Sequence, residues 1–358
     1  PIRQDQALSV GVNVRHGQRW VLGLALVLVV CAADMAHAAG QNRAGTASAT
    51  ELLIPVGARD MAMGGSSVAT TTGLSALFWN PAGLSRSANN TDVMVSSMSY
   101  LADVRVNYVA LGSRFTSIGS FALDIKSLDF GDIPITTEER PDGTGGTYTP
   151  TFFTVGLHYS RALTDRISVG GTSHYVVNKI ERVDGTALSF SAGLQYSDLA
   201  EIEGLNLGVA VKHIGQRMQY DGSGLLRRGS LDDLRRPPSD YKVQSSSSDL
   251  PSIFEIGLGY RYNPAGLGQV NLSTVFRHNN YTYDQYRSGV EYVLNDMFTL
   301  RGGFDVADGS GDDYLFGTSF GFGIQSDVGS FKDVRVDYAY TSVDLFDALN
   351  TFTFQVGF

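Results

Sequence analysis

From residue 91 onward, apolar and polar residues alternate with a period of two almost without pause. In the run from Val334 to Tyr340, Val334, Val336, Tyr338 and Tyr340 share one face of an extended chain, while Arg335, Asp337 and Ala339 share the other. Leu205, Leu207, Val209 and Val211 oppose Asn206, Gly208, Ala210 and Lys212 in the same way. Successive side chains of a strand point to opposite faces, so each such run lies between two environments. No stretch of this region longer than about ten residues carries an apolar stripe at helical spacing.

The alternation predicts strands at 91–100, 103–114, 117–128, 151–161, 166–178, 185–197, 204–215, 252–262, 268–278, 284–293, 297–306, 312–325, 331–341 and 349–358, fourteen in all. A soluble sandwich would meet apolar face to apolar face and cover its outside with charge. Here the second face is mostly Gly, Ser, Thr and Asn, with scattered charges at Glu255, Arg261, Arg277, Arg287, Glu291, Arg301 and Asp337. Those residues suit a wet or plugged lumen. Tyr260, Tyr262, Tyr286 and Tyr292 stand on the apolar face near strand ends, where an interfacial aromatic girdle belongs. The fold class expected is all-β: a transmembrane antiparallel β-barrel of about 14 strands.

An even strand number returns the chain to the side on which it began, and this can be checked against connection lengths. If the first strand runs outward, the outer connections are 101, 129–150, 179–184, 216–251, 279–283, 307–311 and 342–348, which include both long ones. Inner connections such as Leu163-Thr164-Asp165, Asn263-Pro264-Ala265-Gly266 and Asn295-Asp296 are brief, as in bacterial outer-membrane barrels.

Both ends of the sequence fit export. Arg15 and Arg19 precede the apolar run Trp20 to Ala33, and Ala36-His37-Ala38 supplies the small residues a signal peptidase needs. Residues 1–38 are therefore expected to be a cleaved signal peptide, too short in its apolar run to span a bilayer. Cys31, the one cysteine, lies inside that run without the small residues that precede a lipidated cysteine. The mature chain then has no thiol for catalysis, disulfides or metal binding. At the other end, Phe352, Phe354, Val356 and Phe358 alternate with Thr351, Thr353, Gln355 and Gly357. A terminal Phe358 closing such a strand resembles the signal read by the barrel-assembly machinery.

Composition narrows the function classes. Only 18% of the 358 residues are charged, there are 41 Gly, and the formal charge of −9 disfavours nucleic acid as a partner. No Gly-x-Ser-x-Gly elbow, phosphate loop or His-Glu-x-x-His element is present. His158, His174, His213 and His278 fall on separate strands or their ends and read as isolated polar residues. Asp305, Asp308, Asp312 and Asp313 around Gly309 and Gly311 hint at calcium, but their spacing is not that of an EF-hand, and a solvated outer turn is the expectation. No enzyme, cofactor or metal site is expected. Arg217, Arg227, Arg228, Arg235, Arg236 and Lys242 make the 216–251 connection a basic exception, suited to anionic lipopolysaccharide or to a protein partner.

Residues 39–90 do not alternate and are built from small residues with Leu52, Leu53, Ile54, Met61, Met63, Leu77, Phe78 and Trp79. They are expected to form a plug or hatch in the lumen of a barrel spanning 91–358. Within them, Asn80-Pro81-Ala82-Gly83 reads as a turn: Pro81 fixes φ, the residue before it is held extended, and Gly83 permits the bend.

Gly57-Ala58-Arg59-Asp60-Met61-Ala62-Met63-Gly64-Gly65, followed by Leu74-Ser75-Ala76-Leu77-Phe78-Trp79-Asn80-Pro81-Ala82-Gly83-Leu84, resembles the N-terminal signature of the PorV/PorQ family of outer-membrane proteins linked to type IX secretion. The likeness continues in Arg43-Ala44-Gly45-Thr46, in 136–145, in Leu300-Arg301-Gly302-Gly303 and in Val334–Tyr340. It implies a 14-strand barrel with a lumen hatch, similar in architecture to the FadL fatty-acid transporters. It also implies Gly57, Arg59, Gly64, Gly65, Trp79, Asn80, Pro81 and Gly83 as the hatch and turn positions. Partners implied are the type IX translocon and the C-terminal domains of secreted cargo. The alternative is a FadL-like transporter of hydrophobic compounds.

Overall fold

The computed structural model describes residues 43–115, 117–229, 239–264, 268–309, 314–329 and 331–358. The signal-peptide reading of 1–38, with Cys31, lies outside them, as do Arg235, Arg236, Asp312 and Asp313.

Fourteen long strands form wherever the alternation is sustained. They are β1 Thr91–Ser99, β2 Arg105–Phe115, β3 Gly119–Asp129, β4 Thr151–Ala162, β5 Ile167–Ile180, β6 Val183–Tyr196 and β7 Leu205–Gly215. The second half gives β8 Ile253–Tyr262, β9 Gln269–Asn279, β10 Gln285–Leu294, β11 Phe298–Ala307, β12 Phe316–Val328, β13 Phe331–Val343 and β14 Leu349–Gly357. Each pairs antiparallel with the next, and β14 pairs with β1 from Asp92↔Gly357 to Ser99↔Asn350, so the sheet closes and leaves no barrel edge. At the seam, the Phe358 amide donates to the Thr91 carbonyl at 2.8 Å, and the Phe358 ring meets Phe331 edge-on at 5.4 Å. The expectation placed β12 from 312; it begins at Phe316.

The two faces are inverted relative to a water-soluble protein. On β3, Leu123 and Ile125 are 55% and 54% exposed, whereas Asp124 and Lys126 between them are each 6% exposed. A chain that buries charge and displays Leu and Ile is arranged for hydrocarbon outside and a polar lumen inside. This is an outer-membrane β-barrel.

Residues 43–90 thread the lumen from one rim to the other. At the long-loop rim the Ser48 amide donates to Asp249 O at 3.0 Å, and Arg43 pairs with Asp249 at 2.7 Å. The chain then passes through short helical turns, including α1 Ala58–Ala62, α2 Ala76–Trp79 and the 3-10 segment Pro81–Arg86. At the short-turn rim Arg86 donates to Ser168 Oγ at 2.9 Å and to the Arg166 carbonyl at 2.8 Å. Of the long connections, 130–150 carries a two-residue ribbon, Ile133–Pro134 with Thr147–Tyr148. The other, 216–252, adds Gln219–Asp221 to β6 and forms the ribbon Leu226–Gly229 with Ser239–Lys242.

Candidate functional site

The hatch is positioned first by what the barrel wall lacks. Several lumen-facing strand positions are glycine, and the hatch backbone lies directly on them. A Cβ at Gly303 would stand 2.2 Å from the Met63 carbonyl carbon, one at Gly170 2.4 Å from the Pro81 carbonyl, and one at Gly208 2.4 Å from Val68 O. Each approach is closer than any real Cβ contact, so these glycines are seats for another backbone.

The hatch motif supplies the other half of the fit. Gly64 and Gly65 turn the chain after α1 with φ of 65° and 72°, a left-handed conformation that favours glycine, while Gly57 before α1 has φ 88°. Side chains are also excluded at Gly64 and Gly65 by the Phe304 backbone nitrogen at 2.8 Å and the Trp79 ring at 2.7 Å. Trp79, 2% exposed, donates through Nε1 to Val56 O at 3.2 Å. Asn80 is the central clamp. Its Nδ2 donates to Val68 O at 2.9 Å within the hatch and to Leu194 O of β6 at 3.1 Å, while its Oδ1 accepts from the Ala82 amide at 3.2 Å. Pro81 starts the 3-10 turn, and Gly83 is required because a Cβ there would lie 2.2 Å from Thr71 O. Together these contacts make 80–83 a capped turn locked to β6.

Arg59 carries the hatch into an ionic network on the wall. It forms a two-point pair with Glu291, Nε to Oε2 at 3.1 Å and Nη2 to Oε1 at 3.0 Å. Glu291 also accepts from Arg301 Nε at 2.7 Å, and Arg301 Nη1 reaches Asp337 at 2.6 Å. Alongside, Glu255 binds Lys212 at 2.7 Å and Arg277 at 2.6 Å, and Arg287 binds Asp305 at 2.8 Å. Forked guanidinium–carboxylate geometry in a secluded lumen gives charge-assisted bonds and a fixed orientation. Within the hatch, burial pushes the Asp60 carboxyl above its ordinary value, opposed by the Arg59 guanidinium 3.1 Å away. Asp305 corrects the sequence reading: it is 8% exposed and faces Arg287 in the lumen, not a solvated outer turn. Arg261, also expected in the lumen wall, is exposed at the short-turn end of β8.

On the long-loop side of the hatch is a cavity of about 390 Å³. Leu53, Ile54, Phe78, Trp79 and Phe316 form an apolar wall; Arg277, Gln285, Arg287, Asp305, Tyr281 and Tyr314 form a polar one. Tyr281 sits in a connection, where alternation gives no signal, and Tyr314 lies just before β12, within the span the alternation assigns to that strand.

A profile of the family described as "Type IX secretion system protein PorV" matches residues 37–227, just over half of the chain. The chain belongs to the PorV family. The match takes in the hatch and β1–β7, so in this PorV-family barrel the Asn80 clamp, its β6 partner and the Gly170 and Gly208 seats all lie inside the matched region, while the Arg59 partner Glu291 on β10 lies outside it. The fold is similar to the Pseudomonas putida toluene transporter TodX, with 14% identity, a TM-score of 0.52 and coverage of 84% of this chain and 97% of that one. It is similar to the CymD monoaromatic hydrocarbon channel, with 12% identity, a TM-score of 0.51 and coverage of 85% and 97%. The Ralstonia pickettii toluene transporter TbuX gives 16% identity, a TM-score of 0.50 and coverage of 85% and 98%. Comparison with curated protein sequences finds no match. The PorV family is tied by its description to type IX secretion, and the structural neighbours are named as channels and transporters.

The histidines of this PorV-family barrel correct a second expectation. His158, His174 and His213 are not isolated. The first two rings lie 5.5 Å apart and the second and third 6.3 Å apart, beside Asp124. His278 alone stands away, paired with Asp284 at 2.8 Å near the long-loop rim. His213 should face lipid, since Lys212 before it faces the lumen. A bulge between β6 and β7 and a φ of 62° turn it inward.

Proposed function

We propose that this protein is a plugged barrel of the type IX secretion pathway that works through its outer loops and not through its lumen. The observation that supports this best is the family match over 37–227, which includes the hatch and its clamp. A barrel whose interior is occupied by its own backbone offers rigid rims on which loops can be displayed. The two long connections, 129–150 and 216–251, are the surfaces we assign to translocon and cargo C-terminal domains. Loops of that length in a compact protein are uncommon unless they serve recognition or are disordered. The exposed cations Arg217, Arg227, Arg228 and Lys242 also suit the phosphates of lipopolysaccharide. Residues 1–38 serve as signal peptide, and Phe358 as the mark for barrel assembly. No catalytic residue or cofactor is assigned.

Shortening either loop should leave a folded, heat-modifiable barrel, because neither contributes a strand to closure, while abolishing co-purification with a translocon barrel or with cargo. Co-purification that survives both deletions would remove the loops from the reading.

A second reading, transport of hydrophobic compounds, is favoured by the cavity, whose apolar wall faces a pair of arginines, and by a fold shared with proteins named as hydrocarbon channels. It predicts saturable binding of a long-chain amphiphile that is lost in Trp79→Ala, with no effect of loop deletion on secretion.

A further inference from the structure

We propose that Asp124, His158 and His174 form a binding site for one divalent transition-metal ion of the zinc type in the lumen wall formed by β3, β4 and β5. The strand register builds it. Asp124 pairs with Gly156, and Gly156 pairs with His174, so the two donors flank a glycine in one row across three strands. His158 stands two residues along the same face of β4. Because Gly156 has no side chain, the three groups lean into the space above it. A Cβ there would be 2.1 Å from Asp124 Oδ1, 2.8 Å from His158 Nε2 and 2.9 Å from the His174 ring.

The donor geometry suits a small cation. One ligand atom from each residue lies within 4.8 Å of the other two. Zinc holds nitrogen and oxygen ligands at about 2.0–2.2 Å in a tetrahedron, which sets ligands about 3.3–3.6 Å apart. His158 Nε2 already stands 3.3 Å from Asp124 Oδ2. His158 Nε2 and His174 Nδ1 are buried with no hydrogen-bond partner. A buried unsatisfied donor or acceptor is costly, and a metal ion here would offset that cost. Two nitrogens and one carboxylate are a donor set that binds zinc and its neighbours.

The groups around the ligands fit as well. His158 Nδ1 is held by Thr172 Oγ1 at 2.8 Å, which orients the ring with Nε2 toward the site. Tyr108 donates its hydroxyl to Asp124 Oδ2 at 2.9 Å. Metal-binding histidines and carboxylates are normally braced in this manner. Lys126, the nearest competing cation on β3, is drawn away by the Glu51 and Ile54 carbonyls at 2.7 and 3.0 Å. His213, with both ring nitrogens unpartnered, lies next to His174 and is placed to approach the fourth position.

The test uses tag-free full-length barrel in detergent, stripped with chelator and titrated with zinc, then with cobalt as a visible-spectrum probe. One equivalent of zinc should bind, and cobalt should give the absorption bands of a four-coordinate nitrogen and oxygen site. His174→Gln, on the half-buried ligand, should abolish both while the barrel stays heat-modifiable. Thr172→Val should keep the fold and weaken zinc binding by about 10–100-fold, the usual effect of removing a brace. Stripped protein that takes up no stoichiometric zinc, or zinc uptake and cobalt bands unchanged in His174→Gln and in Asp124→Asn, would overturn the assignment. Loss of binding in His278→Gln instead would place the metal at the rim and overturn it equally.

Discussion

The lumen has two unlike walls. Along β8–β13 the buried charges are joined in two sets of ion pairs: Glu291, Arg301 and Asp337 with Arg59 of the hatch, and Glu255, Arg277, Arg287 and Asp305 with Lys212. Along β3–β7, Asp124, His158, His174 and His213 crowd together with four ring nitrogens lacking partners. Both walls bury polar groups, yet only the first satisfies most of them from within the chain. Buried charge is tolerated when paired and hydrogen-bonded, and a fully connected network fixes one arrangement of its members. Both walls hold the hatch, the first through Arg59 and the second through the Asn80 clamp, but the second is the one with chemistry to spare.

The largest effect that would separate the two walls is expected from Glu291→Gln. It leaves Arg59 and Arg301 facing each other without their shared carboxylate, and breaking a buried pair costs about 3–5 kcal/mol. Denaturant unfolding in detergent should show that loss, with limited proteolysis cutting the hatch before the barrel. An unchanged midpoint would mean the network does not hold the hatch.

A smaller loss separates two neighbouring glycines. Gly303→Ala drives a Cβ into the Met63 and Gly64 backbone and should cost about 1–3 kcal/mol, the usual range for overpacking. Gly302→Ala, whose Cβ would meet nothing nearer than the Phe320 ring at 3.7 Å, should be neutral in the same assay. Equal effects at the two positions would remove the idea that lumen glycines are hatch seats.

The smallest change belongs to the rim, outside both walls. Arg217→Ala removes a 2.7 Å pair with Asp249 that is open to solvent, and solvent-exposed pairs contribute little. Its unfolding midpoint should match that of the parent protein. A large drop would show that the 216–251 connection is part of the fold's foundation and not a display surface.

What could be read in advance follows the same division. Alternation is a local signal, so the fourteen strands and the inward set Glu255, Arg277, Arg287, Glu291, Arg301 and Asp337 were visible along the chain. Small residues without alternation marked 39–90 as packed against something, and the glycines of the wall show what. Contacts that depend on register were hidden. Asp124 and His174 are 50 positions apart in sequence and meet only because both flank Gly156 in one row. His213 was concealed for a different reason: a bulge reverses its face, and no residue type announces it. Asp305 sat among other aspartates in what read as a turn, although its partner Arg287 lies on the neighbouring strand.

Whether the chain's own hatch closes the lumen is read out by planar-bilayer conductance. Intact protein, inserted and verified as heat-modifiable, should pass almost no steady current, and deleting residues 43–86 should open a persistent pore. Large, stable currents from the intact chain would mean that the hatch does not close the lumen.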